Sequence, residues 1–347
     1  MKEVDYIIVG CGLAGIAFAE KLFQNQKSFV VFSNKSQQSS LVAAGLYNPV
    51  ILKRFTAVWK AKEQLQIAIP TYKSIECRLK IKIDYKIELL RRFASIEEQN
   101  LWYSASDKPN LSPYLSTQII KNENNDVDAP FGFGIVKSVG RVDTKLLIKA
   151  YKNWLIESDS LRQETFHYKQ IQEEDLYINY KNLKAKHIIF ADGFGLKTNP
   201  YFNHLPLKGT KGEVLVIKAP KLNIDFGIKS SVFLIPIGNH LYKVGATYEW
   251  KDKTNYPTEK GKLELVKKLK TFLKCDFEII GHEAGIRPTV IDRRPLVGQH
   301  PSHKNLYVLN GLGTRGVMIG PYAAHKLYDF IENKVKLDED IDLKRFN

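Results

Sequence analysis

Cysteine, methionine and long apolar runs are what this 347-residue chain has least of. Its three cysteines, Cys11, Cys77 and Cys275, are odd in number and none stands in a C-x-x-C spacing. A disulfide framework and a cysteine zinc site are therefore excluded. His167, His187, His204, His282, His300, His303 and His325 fall in no metal-ligand spacing, so no metal is expected. No segment approaches the roughly 18 consecutive apolar residues of a membrane span, and the chain enters its first strand without room for a signal peptide. A cytoplasmic setting with no membrane partner is the expectation. Acids are also in deficit, 37 against 52 lysines and arginines, for a net charge of +15. Such a balance favours polyanions such as RNA, although lysines spread evenly among asparagines and isoleucines are equally what a compositional bias produces. The densest group, Lys262, Lys267, Lys268, Lys270 and Lys274, reads as the solvated side of a helix whose Leu263, Val266, Leu269 and Leu273 face inward. A DNA partner is not expected.

With 44% hydrophobic residues the chain can bury a large core, and its length suits two domains. The most informative segment comes first. Gly10, Gly12 and Gly15 read G-C-G-L-A-G directly after the apolar run Tyr6-Ile7-Ile8-Val9, and Ile16, Ala19 and Phe23 follow at helical spacing. Gly10 makes the turn, Gly12 lets backbone amides approach a diphosphate, and Gly15 lets helix and strand pack closely. Leu13 and Ala14 open the helix, whose positive end suits a pyrophosphate. Phe29-Val30-Val31-Phe32 completes a βαβ dinucleotide-binding unit. Its end carries Ser33 and Asn34 where a ribose-binding acid is expected, which weakens NAD and leaves FAD, or NADP through Lys35, open.

Strand-like segments return late. Ala185 to Gly195, A-K-H-I-I-F-A-D-G-F-G, reads as a buried strand ending in glycines, preceded by a helix capped by Asp143 with Leu147, Ala150, Tyr151 and Trp154 on its apolar side. Two inserts differ from this pattern. Thr56 to Leu79 predicts a long helix and Ile81 to Phe93 a strand, while Val214 to Ile217, Ser231 to Pro236 and Leu241 to Tyr248 alternate as strands of a second, mixed sheet. A crevice between the two parts is the expected reaction site.

Ordered motifs through nearly the whole chain resemble the D-amino acid oxidase and glycine oxidase superfamily of FAD-dependent oxidoreductases. They are G-C-G-L-A-G from Gly10, S-S-L-V-A-A-G from Ser39, G-R-V-D from Gly140, F-A-D-G from Phe190 and G-T-K-G-E from Gly209. V-G-A-T from Val244, G-I-R-P-T-V-I-D-R-R-P-L-V-G from Gly285 and G-L-G-T-R-G from Gly311 complete the series. Within that superfamily, G-L-Y-N-P from Gly45 and G-L-G-T-R-G-V-M-I-G-P from Gly311 resemble the oxidoreductase half of the bacterial bifunctional enzyme that matures methylaminomethyl groups on wobble uridine. The methyltransferase half is not represented in the sequence.

The resemblance implies an α/β fold with a discontinuous Rossmann-like FAD-binding domain, residues 1–50, 138–207 and 281–347, and a mixed-sheet α+β substrate domain, residues 51–137 and 208–280. It implies non-covalent FAD, since neither the Ser39–Gly45 segment nor the Gly311–Gly316 loop contains Cys or His. Cofactor contacts then fall to Gly10, Gly12, Leu13, Ala14, Gly15, Ser33, Asn34, Ser40, Ala44, Gly45, Phe166, Ala191, Gly193, Gly311, Gly313, Thr314, Arg315, Gly316 and Val317. The glycine loop before Pro321 and the last helix, with Ala324, Leu327, Tyr328 and Ile331 inward, would stabilise negative charge on reduced flavin. Arg287 matches the position that binds a substrate carboxylate, against the alternative of a structural pair with Asp292. Arg315 is a second candidate, and Tyr248 and Tyr47 either line the pocket or belong to the core.

The implied reaction removes hydride from the carbon beside an amine nitrogen to flavin N5, leaving an imine that water hydrolyses. Its expected substrate is a small amino acid or secondary amine. Two alternatives stand beside it: removal of a carboxymethyl group from carboxymethylaminomethyluridine in tRNA, and an NADP-binding reductase or non-catalytic nucleotide-binding protein. The sequence leaves open the oligomeric state, the electron acceptor and which lysine, Lys53 or Lys211 among them, would tune oxygen reactivity.

Overall fold

The computed structural model describes residues 1–346. Its first sheet is built on four short runs that are apolar on both faces, as strands buried between helices must be. Lys2–Val9 pairs in parallel with Phe29–Phe32 on one side and Leu183–Phe190 on the other, and Leu306–Asn310 pairs in parallel beyond Leu183–Phe190. Leu161–Arg162 extends the parallel run past Phe29–Phe32, while the Ile171–Glu173 and Ile178–Tyr180 hairpin and Leu296–Gln299 add antiparallel edges. Alternate residues feed two cores. Ile8, Val31, Ile189 and Leu309 meet the helices Leu13–Gln24, Ala61–Leu79, Thr144–Glu157 and Gly316–Glu332, whereas Ile7, Val30, Ile188 and Val308 meet Phe166, Tyr180, Phe202 and Leu205.

The second sheet has eight strands in the order Glu278–Arg287, Thr210–Lys218, Leu241–Gly245, Phe233–Gly238, Gly227–Lys229, Leu89–Arg92, Phe133–Val136, Leu115–Ile120. All neighbours are antiparallel except Gly227–Lys229 with Leu89–Arg92. Leu215, Ile217, Ile228, Leu234 and Val244 cover one face with Leu265, Leu269, Phe272 and Leu273. The other face is open to a cavity. The strand Glu278–Arg287 crosses the expected boundary at 280/281 and lies wholly in this sheet.

Several local expectations need correction. The helix expected from Thr56 begins at Ala61, because Thr56–Ala57 pairs as a short strand with Val50–Ile51 and Lys60 takes a left-handed conformation (φ 46°) that breaks the chain direction. The strand expected over Ile81 to Phe93 is two strands, Asp84–Lys86 and Leu89–Arg92, in different sheets. In the helix Glu259–Leu269 the inward residues are Gly261, Leu265 and Leu269, while Leu263 is 60% exposed and Val266 half-buried. Its rotation is set by Gly261, where a Cβ would stand 2.4 Å from the buried carboxylate of Glu213. Phe23 is 43% exposed, reaching outward to the edge of Trp154.

Pro321 lies inside the helix Gly316–Glu332, not at its first position. Proline there removes the amide that would bond the carbonyl four residues earlier. That carbonyl, on Val317, accepts instead from the Tyr72 hydroxyl at 2.6 Å, so the helix continues with its polar group satisfied.

Candidate active site

A cavity of about 1530 Å³ runs from the carboxyl ends of the first sheet's strands onto the open face of the second sheet. Ligand pockets for a drug-sized molecule are roughly 300–1,000 Å³, so there is room for a dinucleotide and a further molecule.

At the first end the wall is mostly backbone. Gly10 has φ +111°, and a Cβ on it would lie 2.3 Å from the Ala191 carbonyl oxygen; a Cβ on Gly15 would lie 1.9 Å from the carbonyl oxygen of Gly10. No other residue closes this turn. Gly12 opens the helix without a side-chain cap, and the Leu13 amide donates to Ser40 Oγ at 3.2 Å. The first helical turn holds no acid, so its positive end is uncompensated. Gly10, Gly12, Leu13, Ala14, Ser33, Asn34, Ser40, Ala44, Gly45, Phe166, Ala191 and Gly193 all line the cavity. Gly15 does not; it sits behind the turn. Lys35 is exposed and lies outside the lining.

Sequence spacing missed the carboxylate at this end. Asn34 Nδ2 donates to Thr165 Oγ1 at 3.3 Å, which sets Glu164, also a lining residue, beside Ser33 and Asn34. Glu164 comes from a segment about 130 residues away, so no spacing rule could have found it. Phe166 stacks on Tyr180, ring centroids 4.2 Å apart.

The turn after Leu183–Phe190 and the C-terminal loop are tied together by Asp192. Its carboxylate accepts from Asn310 Nδ2 at 2.9 Å, and Asn310 also donates to the Gly193 carbonyl at 3.0 Å. Burial pushes the Asp192 carboxyl up to about 6 despite these donors. Gly311, Gly313, Thr314, Arg315, Gly316 and Val317 follow along the wall. Gly313 has φ +57° with nothing within 4 Å of a Cβ, so there it is the backbone conformation that calls for glycine.

At the second end the wall is side chains on one face of the second sheet. Thr210, Gly212 and Val214 alternate into the cavity, and their register partners carry the pattern across: Arg287 opposite Thr210, Gly285 opposite Gly212, Gly245 opposite Val214, Phe233 opposite Gly245, Lys229 opposite Phe233, Arg91 opposite Lys229. The guanidinium of Arg287 lies flat over Gly212, where a Cβ would stand 1.9 Å from Nη2. Arg287 Nη1 donates to the Thr247 carbonyl at 3.2 Å and Cζ stands 4.7 Å from the Tyr248 ring centroid. No carboxylate pairs with Arg287 or Arg315 among the described residues, and burial lowers the pKa of both. Asp292 is engaged elsewhere, by Arg345 Nε at 2.7 Å.

Arg287, Arg315 and Tyr248 therefore meet in the cavity. Tyr47 does not: it is 2% exposed, donates to Asp84 Oδ1 at 2.8 Å and lies outside the lining. Burial, then Asp84, raises its phenol. Lys53 lines the cavity, whereas Lys211 is fully buried beneath the opposite face and paired with Asp252 at 2.5 Å. Among the charged lining residues only Glu164 and Asp192 are acidic. Gly212, Gly285, Lys229 and Arg91 were also missed as site residues, because pairing across strands brings them to the cavity. No described helix is long and apolar enough to cross a membrane, and no metal-binding cluster occurs among the described residues.

Known proteins are similar to this chain in sequence and in fold. The DAO family, described as FAD dependent oxidoreductase, matches residues 5–329. Glycine oxidase of Bacillus subtilis (strain 168) is 24% identical over 251 residues, 67% of this chain and 63% of that protein. The tRNA 5-methylaminomethyl-2-thiouridine biosynthesis bifunctional protein MnmC of Legionella pneumophila (strain Corby) is 24% identical over 201 residues, 47% of this chain and 30% of its own length. Both alignments thus span less than two thirds of the relative. Among solved structures, glycine oxidase from Geobacillus kaustophilus superposes with a TM-score of 0.80 at 18% identity, covering 100% of this chain and 98% of that one. Iminodiacetate oxidase from Chelativorans sp. BNC1 gives 0.78 at 18% identity, covering 97% and 98%. These two likenesses establish a common fold.

Proposed function

Because this chain belongs to the DAO family of FAD dependent oxidoreductases, we propose that it oxidises the carbon–nitrogen bond of a small amino acid or secondary amine whose carboxylate is held by Arg287. The first end of the cavity fits FAD on its own geometry: Gly10, Gly12, Leu13 and Ala14 line it at the start of a helix whose first turn holds no acid. FAD, when bound, accepts the hydride from the carbon beside nitrogen. On this reading the first sheet and its helices hold the cofactor, with Glu164 and Ser33 at the ribose, and the open face of the second sheet holds the substrate.

The observation that carries the reading is Arg287, a half-buried residue whose guanidinium has no carboxylate of its own among the described residues. Laid flat on Gly212 and backed by Thr247, it presents its remaining N–H groups to the cavity. A planar fork of this kind holds both oxygens of a carboxylate and fixes the carbon next to it. Tyr248 supports the far side of the guanidinium. The amine must arrive neutral, and the surrounding cations favour loss of its proton. Water then converts the imine to a carbonyl and releases the nitrogen.

Anaerobic mixing of the FAD-loaded protein with glycine, sarcosine, proline and tRNA bearing the modified uridine tests the proposal. Bleaching of the flavin by one of the free amino acids is expected. A panel in which none of them bleaches it would sink this reading.

A second reading has its own support. Tyr248 and Trp250 line the cavity at 61% and 53% exposure with Lys251 and Lys253 beside them, a pattern suited to stacking unpaired bases. With the net charge of +15 and the MnmC relatives, it favours the wobble-uridine reaction, cleaving a carboxymethyl group by the same chemistry. That reading requires tRNA binding that is tight at low salt and falls steeply as salt rises.

A further inference from the structure

The cavity does not end at Arg287. It continues along the same sheet face to Lys229, four strands away, with Val214, Gly245 and Phe233 forming the floor between. At roughly 4.8 Å per strand and 3.4 Å per residue, the Cα atoms of Arg287 and Lys229 are about 23 Å apart. An amino acid held at Arg287 reaches a small part of that distance.

The far end is cationic, but its cations are not equivalent. Arg91 is held by Glu98 and donates to the carbonyls of Lys229 and Ser230. Arg92 pairs with Asp128 at 2.9 Å, and Lys268 with Glu264 at 2.6 Å. Lys229 has no carboxylate among the described residues; its Nζ donates only to the Ser230 carbonyl at 3.0 Å. Ser230 adds a hydroxyl to the same stretch of wall, while Ser231 Oγ and Thr271 Oγ1 donate to the Lys268 carbonyl at 3.2 and 2.7 Å. Burial lowers the Lys229 ammonium to about 8, and Arg91 and Lys268 add to the shift. An unneutralised ammonium held among other cations costs folding energy. No carboxylate among the described residues faces this ammonium, and an incoming anion would supply the missing counter-charge.

We propose that the far end of the cavity, at Lys229 with Ser230, Ser231, Lys268 and Thr271, is a second anion subsite that takes the phosphate of a substrate whose amine end lies at Arg287. The proposal rests on the amine-oxidation reading for the Arg287 end and extends it to a longer, phosphorylated substrate. Phosphate suits the site better than carboxylate because its oxygens take a point-charge ammonium and the Ser230 hydroxyl together, without the planar fork that a carboxylate favours.

Calorimetric titration of the FAD-loaded protein with inorganic phosphate and with uridine 5′-monophosphate tests it. Both should bind saturably. Lys229→Gln should weaken them by about ten-fold or more, the scale of one charged hydrogen bond, and Lys229→Arg should restore affinity. Flavin content and Tm control for folding, and Tm of Lys229→Gln should equal or exceed that of the wild type. Arg287→Ala should change phosphate affinity by less than about two-fold, as expected for distant sites. Absence of saturable binding, unchanged affinity in Lys229→Gln, or loss in Arg287→Ala would overturn the subsite. Displacement of the mononucleotide by unfractionated tRNA assigns the phosphate to a polynucleotide, and binding undisturbed by tRNA assigns it to a small phosphorylated amine. Phosphate binding without flavin bleaching by any amine would retain the subsite and reject the amine reading; bleaching without phosphate binding would do the reverse.

Discussion

The two ends of the cavity are built by opposite means. One is a backbone site, where Gly10, Gly12 and Gly15 let a strand, a turn and a helix approach within distances that a single Cβ would forbid. The other is a side-chain site, where residues from six strands share one face only because their register aligns them. The first is tightest at Gly10 and Gly15, and it holds both acidic residues of the lining, Glu164 and Asp192. The second is crowded with cations and depends on where each long side chain is laid. Backbone sites fail by losing the fold, whereas side-chain sites fail by losing affinity while the fold stands.

The largest expected effect sharpens that contrast. Gly15→Val places carbon against the carbonyl oxygen of Gly10 and should abolish flavin binding, with a protein recovered colourless or insoluble. Flavin absorbance of the purified variant checks it. Arg287→Ala should instead leave flavin bound and lower kcat/KM for an amino acid by about 10²–10³-fold, the loss of two charged hydrogen bonds, read by steady-state kinetics. Should flavin be lost as well, the two ends would not be separate sites. Gly212→Ala is subtler. Its Cβ meets only the movable end of Arg287, so the guanidinium must tilt, KM should rise about ten-fold and Tm should change little.

The smallest effect concerns Asp192, which ties the two loops of the backbone end. Its carboxyl is raised to about 6 by burial, above the roughly 3.9 of an unfolded chain. The stability it contributes is fully present below about pH 4 and is lost as pH rises through about 6. Relative to wild type, Asp192→Asn should flatten the slope of Tm between those values, as thermal melts across the range would read. An unchanged slope would mean that Asp192 is ionised in the folded protein throughout.

Legibility in the sequence follows the same division. The strand, turn and helix at the N-terminus, the buried strand into A-D-G and the C-terminal glycine loop could be read directly, since each is a contiguous segment whose apolar runs and glycines act locally. Helix phase was less legible. Leu263 has the right composition for the core but faces solvent, because the approach of Gly261 to Glu213 from another strand sets the rotation. Pro321, expected near the start of the last helix, lies five residues inside it, made tolerable by a tyrosine from a helix some 245 positions earlier in the chain. Tyr47 and Tyr248 had equal standing as candidates; Tyr47, in the short strand Leu46–Tyr47, goes into the core, while Tyr248, in the segment after a strand that ends at Gly245, reaches the cavity.

The sequence by itself determined the family, the cofactor class and the glycine-rich segments that line the first end of the cavity, because those features depend on atoms close together along the chain. Tertiary structure decided which cations share the open face of the second sheet, that Glu164 lines the cavity with Ser33, and that Lys229 is left without a counter-charge. These depend on strand order and register, and pairing between distant segments leaves no mark on local spacing.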